Sequence, residues 1–485
     1  MRRLRLLLTV PLLCAPLANA LEVQSLATAA PTLDGRLMVA SERAAGKSLW
    51  VAWRIGHWQT PGHIHVDGPV TYVNSRLIYE GTPLNELIPE TANALAAPGP
   101  APRPGLQYRD IAIAIELDRN QGVRRSRVTS VEFPLTIEAD TLYWLGSASA
   151  DDSTTLLSAM LARTASAEGQ IEIIDALAVH DGNQAFNLLT DIATSTGPSK
   201  VRGEAAEAMS SSLHPAAAET LYQLAGNDRS ERVREEAVEA LEDLRDPAAV
   251  IHLIALARDG DRDSIRMEAV DALAERGGVK AVETIDYLVW NDGNLELVEE
   301  AVEAIEDLPL HQALDMLQRI AIDHPQAVAR AEAIHALADL EPEQSVALFE
   351  RVVREDSNAD VREEALDAIA DLPDDLGLAV LIDVSRNHSH RGTRREAIEF
   401  LADKAGDRVV AVLQQAVYED DHADVRESAL EALSERPNGD GIVIVAKVAQ
   451  THPDPELRED AIDALADMAE DDQRAFQALR LLISG

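Results

Sequence analysis

The chain has 485 residues and a formal net charge of −41; hydrophobic residues make up 46% of it and aromatic residues only 4%. This length exceeds what one ordinary core serves, so several domains or a repeat array are expected, and the hydrophobic content excludes a wholly disordered chain. So acidic a chain should repel nucleic acid and anionic lipid surfaces, and we expect neither as a partner.

The first twenty residues are typical of a targeting segment. Arg2, Arg3 and Arg5 precede a short apolar stretch from Leu6 to Leu17, and residues 18–20 (ANA) give the small-x-small pattern of a cleavage site. The stretch is too short to span a bilayer, and no later stretch is long enough. We therefore expect residues 1–20 to be a cleaved signal peptide, the protein to be periplasmic or secreted, and no membrane span.

Two alternatives are an uncleaved anchor and lipidation of Cys14, the single cysteine. Leu13 before Cys14 is larger than the residue usual at a lipidated cysteine. After cleavage the mature chain would contain no cysteine, so packing alone would hold an exported fold together.

Residues 21–136 contain no repeat and are predicted to form a small β-rich module. A proline-rich stretch at residues 97–105 is expected to be an exposed loop of this module. Helical patterns resume at residues 138–146 (EADTLYWLG), so the repeat array is placed at residues 137–485. The predicted strands, which are rich in β-branched and aromatic residues, are LWVAWRIGHW (49–58), HIHV (63–66), VTYV (70–73), RLIY (76–79), YRDIAIAIEL (108–117) and SVEFPLTI (130–137).

Histidines in this module raise the possibility of a metal site. His63 and His65 lie on one face of a predicted strand, Asp67 follows on that face, and His57 lies nearby in sequence. Histidines on an ordinary strand surface explain the pattern better, so we predict no metal ligands and no cofactor.

The rest of the chain repeats every 32 residues. Residues that recur at the same position of successive repeats are called columns. In most repeats a small residue is followed by a second small residue three positions later and by a branched apolar residue four positions later, so that the three lie on one apolar stripe of a helix. A second apolar helix and turn residues separate successive stripes, which indicates one helical hairpin per repeat. The first column is an alanine in every repeat from Ala205 on: Ala205, Ala237, Ala269, Ala301, Ala333, Ala365, Ala397, Ala429 and Ala461.

The phrase V-R-x-x-A-x-x-A-L, seen for instance from Val233 and Val361, resembles the short HEAT-like repeats first associated with phycobilin lyases. The resemblance runs from near Thr141 to Gly485 and implies an all-α, right-handed α-solenoid of about ten 32-residue hairpins.

Acidic residues form three further columns, one residue before, two after and six after the column alanine. Their spacing places them on one helix face. In HEAT arrays the second helix usually lines the concave surface, so the resemblance implies an acidic groove for a protein or peptide, most simply a basic one. The candidate partner-binding residues are Glu236, Glu239, Asp243, Glu268, Asp271, Glu300, Glu303, Asp307, Asp339, Glu364, Asp367 and Asp371.

Solubility and adaptation to high salt are the alternative explanation, and five lysines against 38 arginines agree with it. Acids in the first turn of a helix are favoured by the helix dipole, whereas acids in the last turn face its negative end at a cost of a few tenths of a kcal/mol each. Solvation therefore explains the first acidic column well and the third one badly.

Arginines form a column of their own, with Val298 as the exception. A planar guanidinium suits bridging between repeats, to carboxylates and helix-end carbonyls, so we predict a structural role. The column is Arg202, Arg234, Arg266, Arg330, Arg362, Arg394, Arg426 and Arg458.

In the loops before these helices, the residue at one fixed position of the repeat alternates between aspartate and histidine. Capping of the helices explains them better than metal binding, because adjacent repeats stack roughly 10 Å apart and one ion cannot bridge two such positions. The alternating residues are Asp292, His324, Asp356, His388, Asp420 and His452.

Signatures of catalysis are missing from the sequence. No GxSxG, HExxH or P-loop occurs. Deoxyhypusine hydroxylase, an enzyme built on similar repeats, binds iron through His-Glu pairs, and none of the 13 histidines here is followed by glutamate. We predict a non-enzymatic binding scaffold; a metal-dependent or lyase-type enzyme that uses the β-rich module and the groove is the alternative.

Overall fold

The structure, a computed structural model, places the chain in two compact units, divided between Leu256 and Ala257. The targeting segment, the metal candidates His63, His65 and Asp67, and nearly all of the proline-rich loop lie outside the described residues. Those residues are 21–59, 70–73, 76–79, 82–88, 104–436 and 439–484.

The first unit contains a five-stranded sheet of order β1-β7-β2-β5-β6. β7 pairs in parallel with β1 and β2, whereas β2–β5 and β5–β6 are antiparallel. β3 and β4 form a separate antiparallel pair. The strands are β1 Glu22–Ser25, β2 Leu49–Gln59, β3 Val70–Val73, β4 Arg76–Tyr79, β5 Gln107–Leu117, β6 Val123–Ser130 and β7 Thr141–Ser147.

The two long central strands are buried almost throughout because both faces of the sheet are covered. One face packs Trp50 and Trp144 with small alanines of β2 and β5 and with Leu84. On β6, the backbone N–H of Val123 donates to Thr164 Oγ1 at 3.0 Å, and that of Ser126 donates to Glu172. The sheet and the first helical hairpin therefore form one body.

Two expectations for this region were wrong. Residues 138–146 do not begin a helix, because Thr141–Ser147 is strand β7 in the interior of the sheet. The segment 130–137 is not a strand, because Pro134 provides no N–H for a ladder; its apolar side chains are buried nevertheless, Val131 completely. The neighbouring arginine-rich segment Val123–Ser130 forms β6 instead.

The described residues form 23 helices, and from α3 to α22 they pair into ten hairpins, which confirms the predicted solenoid of HEAT-type repeats. The helices of the first unit are α1 Leu33–Ala44, α2 Leu84–Leu87, α3 Ala150–Leu161, α4 Ala167–Ala178, α5 Asn183–Ala193, α6 Ser199–Glu207, α7 Ala217–Asn227 and α8 Glu231–Asp243, while α9, Pro247–Asp259, spans the division.

The second unit continues with the same hairpins. A short 3-10 turn extends α6 (Ala208–Ser211) and α12 (Ala304–Asp307). The helices of the second unit are α10 Asp263–Arg276, α11 Val279–Asn291, α12 Leu295–Glu303, α13 Leu310–Asp323, α14 Ala327–Leu340, α15 Pro342–Glu355, α16 Ala359–Ala370, α17 Asp374–Asn387, α18 Arg391–Ala402, α19 Asp407–Glu419, α20 Ala423–Ser434, α21 Ile442–Thr451, α22 Pro455–Asp471 and α23 Gln473–Ser484.

The alanine column lies where second helices of successive hairpins pack on one another, as α6 does on α8 and α14 on α16. All nine column alanines are 0% exposed. A methyl side chain lets helix backbones approach closely, and the branched residue four positions on, such as Leu241 or Leu337, is also fully buried. Small and branched residues thus alternate to fill the seam.

The arginine column bridges the repeats, as its geometry predicted. Nη1 of Arg330 donates to the carbonyl of His324 at 2.8 Å, while Nε and Nη2 grip both oxygens of Asp356 in the next repeat at 2.7 and 2.9 Å. Arg394 makes the same three contacts with His388 and Asp420. The carbonyl six residues earlier also accepts from Arg234, Arg362, Arg426 and Arg458.

Aspartate and histidine at the loop position both tie one repeat to another. Burial alone would raise the pKa of Asp356, but hydrogen bonds from Arg330 and from the Asn358 amide hold it below its usual value. The imidazole Nε2–H of His324 donates to the carbonyl of Val289 at 2.8 Å. Its Nδ1 accepts from the Gln326 amide at 3.2 Å, so the ring connects the loop before α14 to the last turn of α11.

Replacing one column alanine tests the seam. Ala365→Leu should overpack the contact between second helices and lower the free energy of unfolding by about 1–3 kcal/mol. Glu363→Ala, on the exposed side of the same helix, should change it by no more than about 0.5 kcal/mol. Denaturant melts of both variants measure the difference, and equal effects would show that the column is not the buried seam.

The arginine bridge has its own test. Asp356→Ala leaves the guanidinium of Arg330, whose side chain is 11% exposed, without its carboxylate. The expected loss is about 3 kcal/mol of unfolding free energy, as for other broken buried ion pairs. The matched control is Asp323→Ala, which removes the same charge from the exposed end of α13. A loss no larger than in the control would mean that the bridge contributes little.

Candidate functional site

The predicted partner-binding residues all lie on second helices or at their ends. Glu236, Glu239 and Asp243 belong to α8 in the first unit. In the second unit, Glu268 and Asp271 are on α10, Glu300 and Glu303 on α12, Asp307 ends the following 3-10 turn, Asp339 is on α14, Glu364 and Asp367 are on α16, and Asp371 is the C-cap residue of α16.

The three acidic columns differ in exposure. Members of the first column, such as Glu300 and Glu364, are half-buried, while Asp307, Asp339 and Asp371 of the third column are exposed. These three lie at the C-terminal ends of their helical segments, and the last turns there contain no basic residue. The negative end of the helix dipole disfavours them, so their presence is not explained by helix stability.

Carboxylates of successive repeats approach one another. Asp271 on α10 shares a hydrogen bond with Glu300 on α12, and burial, together with Glu300 and Glu268, raises the pKa of Asp271 to about 7. Burial and then Glu303 raise the pKa of Glu300 as well. Near neutral pH these two carboxylates therefore disfavour each other's charge across two repeats.

A cleft of about 320 Å³ follows in the next repeats. His335 is the only basic residue among the described residues that line it, and its Nδ1 lies 3.1 Å from Glu364. The hydrogen bond to Glu364 raises the pKa of His335. Burial raises the pKa of Glu332 against the opposing charge of His335, and burial and then Asp339 raise that of Glu306. The lining residues are Glu303, Glu306, Ala331, Glu332, His335, Asp339 and Glu364.

In the first unit the predicted residues divide into two groups. Glu236 already forms an ion pair with Arg232 at 2.9 Å, so its charge is partly neutralised. Glu239 and Asp243 are exposed. Burial, followed by the charges of Glu204, Glu239 and Asp243, raises the pKa of Glu207. Glu236 is therefore less available to a partner than Glu239 or Asp243.

Sequence reasoning missed Glu306 as part of the cleft, because most repeats have alanine at its position. It treated His335 only as an exception within an acidic column. The corresponding signal was present in the sequence, since an acid and a histidine depart from the consensus in neighbouring repeats.

Chemically, this surface can attract, hold and orient cations. Within the part of the chain that the structure describes, no group of three or more histidine, cysteine, aspartate or glutamate side chains is arranged to hold a metal ion. No helix among the described residues has the length and apolarity needed to cross a bilayer.

The Asp271–Glu300 pair predicts an unusual pH dependence of stability. An acid whose pKa is higher in the folded than in the unfolded chain stabilises the fold at low pH, and this contribution is lost as the pH rises through about 7. Asp271→Asn should therefore be more stable than the native protein at pH 8, and the difference should shrink steadily as the pH falls and vanish only near about pH 4, where the carboxyl of the unfolded chain is protonated as well. Discounted for partial exposure, the gain at pH 8 is about 1 kcal/mol, or roughly 2–4 °C in melting temperature.

Thermal melts of both proteins between about pH 4 and pH 8 measure this difference. Asp315→Asn, an equal charge change at an exposed site on α13, is the control and should show no such trend. A difference between Asp271→Asn and the native protein that is constant with pH would contradict the raised pKa of Asp271.

Comparison with known proteins identifies the same repeats. A model of HEAT repeats matches overlapping segments at residues 186–274, 252–338, 283–370, 345–434 and 378–466. Sequence comparison with curated proteins gave no match.

Among solved structures, the chain is similar to human deoxyhypusine hydroxylase (18% identity, 53% of this chain and 96% of that chain, TM-score 0.24). It is also similar to Kap121p (12% identity, 69% and 43%, TM-score 0.40). A third similar structure is the complex of CpcE and CpcF of phycocyanin lyase from Nostoc (20% identity, 50% and 94%, TM-score 0.24). At such low identities and TM-scores, these likenesses carry no argument about function.

Proposed function

The chain belongs to the HEAT-repeat family, and from this premise we propose that it is a non-enzymatic scaffold that binds a basic segment of a partner protein or peptide along its acidic second helices. Stacked repeats of this kind create extended binding surfaces, because each hairpin adds one row of side chains to the surface of its neighbour.

One observation carries this proposal. In the second unit, carboxylates of successive second helices lie close together, so that burial and then Glu300 raise the pKa of Asp271, and acids occupy helix ends where the dipole disfavours them. Such an arrangement destabilises the isolated chain. A cationic partner would relieve the repulsion between these carboxylates, and this relief would add to the free energy of binding.

Surface acids that served solubility alone would be expected to avoid one another. Here the exposed carboxylates of the second helices are stacked, and His335 is the basic side chain among them in the 320 Å³ cleft. A partner with several lysine or arginine side chains at intervals of about 10 Å, the spacing of packed helices, matches this spacing.

We also propose that the protein works outside the cytoplasm. The support is the sequence of residues 1–20, with its basic start, short apolar stretch and small-x-small end. Detection of a mature chain that begins after Ala20 in the envelope or culture medium would test this.

The binding proposal is tested by neutralising the third acidic column. Asp307→Asn, Asp339→Asn and Asp371→Asn together remove three exposed charges. At about 0.5 kcal/mol for each exposed pair, the affinity for a fluorescent decalysine probe should fall roughly tenfold, and the salt dependence should flatten. Fluorescence anisotropy at several salt concentrations gives both quantities.

The control removes the same charge from first helices of the same unit, through Glu283→Gln, Asp315→Asn and Glu343→Gln, all at exposed positions. It should leave the affinity nearly unchanged. If the two triple variants bind decalysine equally well, the acidic columns are a solvated surface and the proposal fails. If only the variant of the acidic column loses affinity, crosslinking in the native envelope with each variant would identify the partner whose capture depends on this column.

A further inference from the structure

A second cavity lies in the first unit, where the end of β2 faces the second helices α4, α6 and α8. Its volume is about 460 Å³, within the range of pockets that hold small ligands or peptide side chains. The sheet and the helices both line it, which is a common setting for binding sites.

One wall of this junction cleft is aromatic and apolar. His57 and Trp58 lie at the end of β2, and Val179 and the exposed Leu213 contribute apolar surface. The backbone N–H of Trp58 donates to Asp181 at 2.8 Å.

This wall is held rigidly. The indole of Trp58 packs edge-on against the ring of Tyr108, with 5.2 Å between ring centroids. Asp181 also lies 3.5 Å from Nδ1 of His57. The indole therefore has a fixed position, and it is only 8% exposed.

The second helices contribute an acidic part of the lining. It presents Asp175 from α4, Glu204 and Glu207 from α6 and Asp243 from α8, against one cation, Arg245, among the described lining residues. Burial, followed by the charges of Glu172, Glu204 and Glu207, raises the pKa of Asp175 to about 6. The cleft thus combines an apolar surface with an excess of negative charge.

We infer that the junction cleft binds a peptide segment in which a basic side chain stands next to an apolar one, the basic group on the carboxylates and the apolar group against Trp58 and Leu213. Amphipathic cations gain from both parts of the lining, because an indole favours a neighbouring cation and apolar contact removes water.

A peptide is favoured over a free organic cation by the continuity of the acidic surface. Glu207 in the cleft interacts with Glu239 and Asp243 on the next second helix, so the carboxylates continue along α8. An extended chain can follow this run, whereas a small cation would occupy only its beginning. The inference takes its class of partner from the proposed function but concerns a different unit and different residues.

Tryptophan signals in the full chain provide the test, since the chain has only five tryptophans. The protein is labelled with ¹⁵N-tryptophan, and Trp58→Phe assigns the indole N–H signal of Trp58. The probes are the capped peptide Leu-Arg-Leu-Arg, its analogues Leu-Gln-Leu-Gln and Gly-Arg-Gly-Arg, and spermidine. Trp290, in the second unit, is the internal reference.

The Leu-Arg peptide should shift the Trp58 signal saturably and leave that of Trp290 in place. Both analogues and spermidine should bind at least about tenfold more weakly, which corresponds to a loss of about 1.4 kcal/mol. No shift, or an equal shift with the uncharged analogue, overturns the inference. Equal binding of spermidine also overturns it, because the site would then recognise free polyamines.

Substitutions complete the test. Asp175→Asn with Glu207→Gln relieves repulsion, so folding should be preserved, and the Leu-Arg peptide should bind about tenfold more weakly if two contacts of roughly 0.7 kcal/mol each are lost. The control, Glu283→Gln with Glu343→Gln, should bind it as the native protein does, and equal weakening in both double variants would contradict the site.

Failure of this inference and failure of the proposed function are distinguishable. The triple variant of Asp307, Asp339 and Asp371 should leave the Trp58 shift intact. A normal Trp58 response combined with decalysine binding that ignores the triple variant would retain the cleft and refute the acidic surface of the second unit. The reverse pattern would refute the cleft alone.

Discussion

The repeats depend on one interaction, the guanidinium of the arginine column, which joins most second helices to neighbouring loops. Arg330 and Arg394 each donate to a carbonyl of their own hairpin and grip an aspartate of the next. A buried charge without its partner is costly, so a shift of the chain by even one residue would leave these groups unpaired. The arginine column therefore fixes the 32-residue register, while the alanine column, 0% exposed throughout, sets how closely the helices approach.

A fixed register has a consequence for charge. Residues at one repeat position come to lie beside their counterparts in the next repeat, so an acid that recurs every 32 residues meets other acids. This produces the raised pKa of Asp271 beside Glu300 and the acidic cleft around His335. Asp356 and Asp420 lie in the same array and are also partly buried, yet hydrogen bonds from Arg330 and Arg394 lower their pKa values. The aspartates that pair with arginines can thus be distinguished from the acids of the three acidic columns by the charges that surround them.

The sheet of the first unit supports the first hairpins in another way. Ser153 Oγ, fully buried, accepts from the indole N–H of Trp53 at 2.7 Å and lies 2.7 Å from Nε2 of His180. Burial lowers the pKa of His180 to about 4, which keeps its ring neutral. This buried contact joins the sheet to the helices of the first hairpins.

The sequence by itself determined the period, the hairpins, the buried alanines and the structural arginines. Each repeat contacts chiefly its neighbours, so its residue pattern recurs every 32 residues and can be recognised locally. Only the tertiary structure decided that Thr141–Ser147 is a strand, since its place in the sheet depends on pairing with β1 and β2 far away in sequence. It also decided which acids are engaged, as Glu172 is by the amide of Ser126. The junction cleft joins Trp58 and Asp175, residues that no local pattern connects. Periodic contacts are readable from sequence because they are local, whereas strand pairing and the environment of a charge depend on residues brought together only by folding.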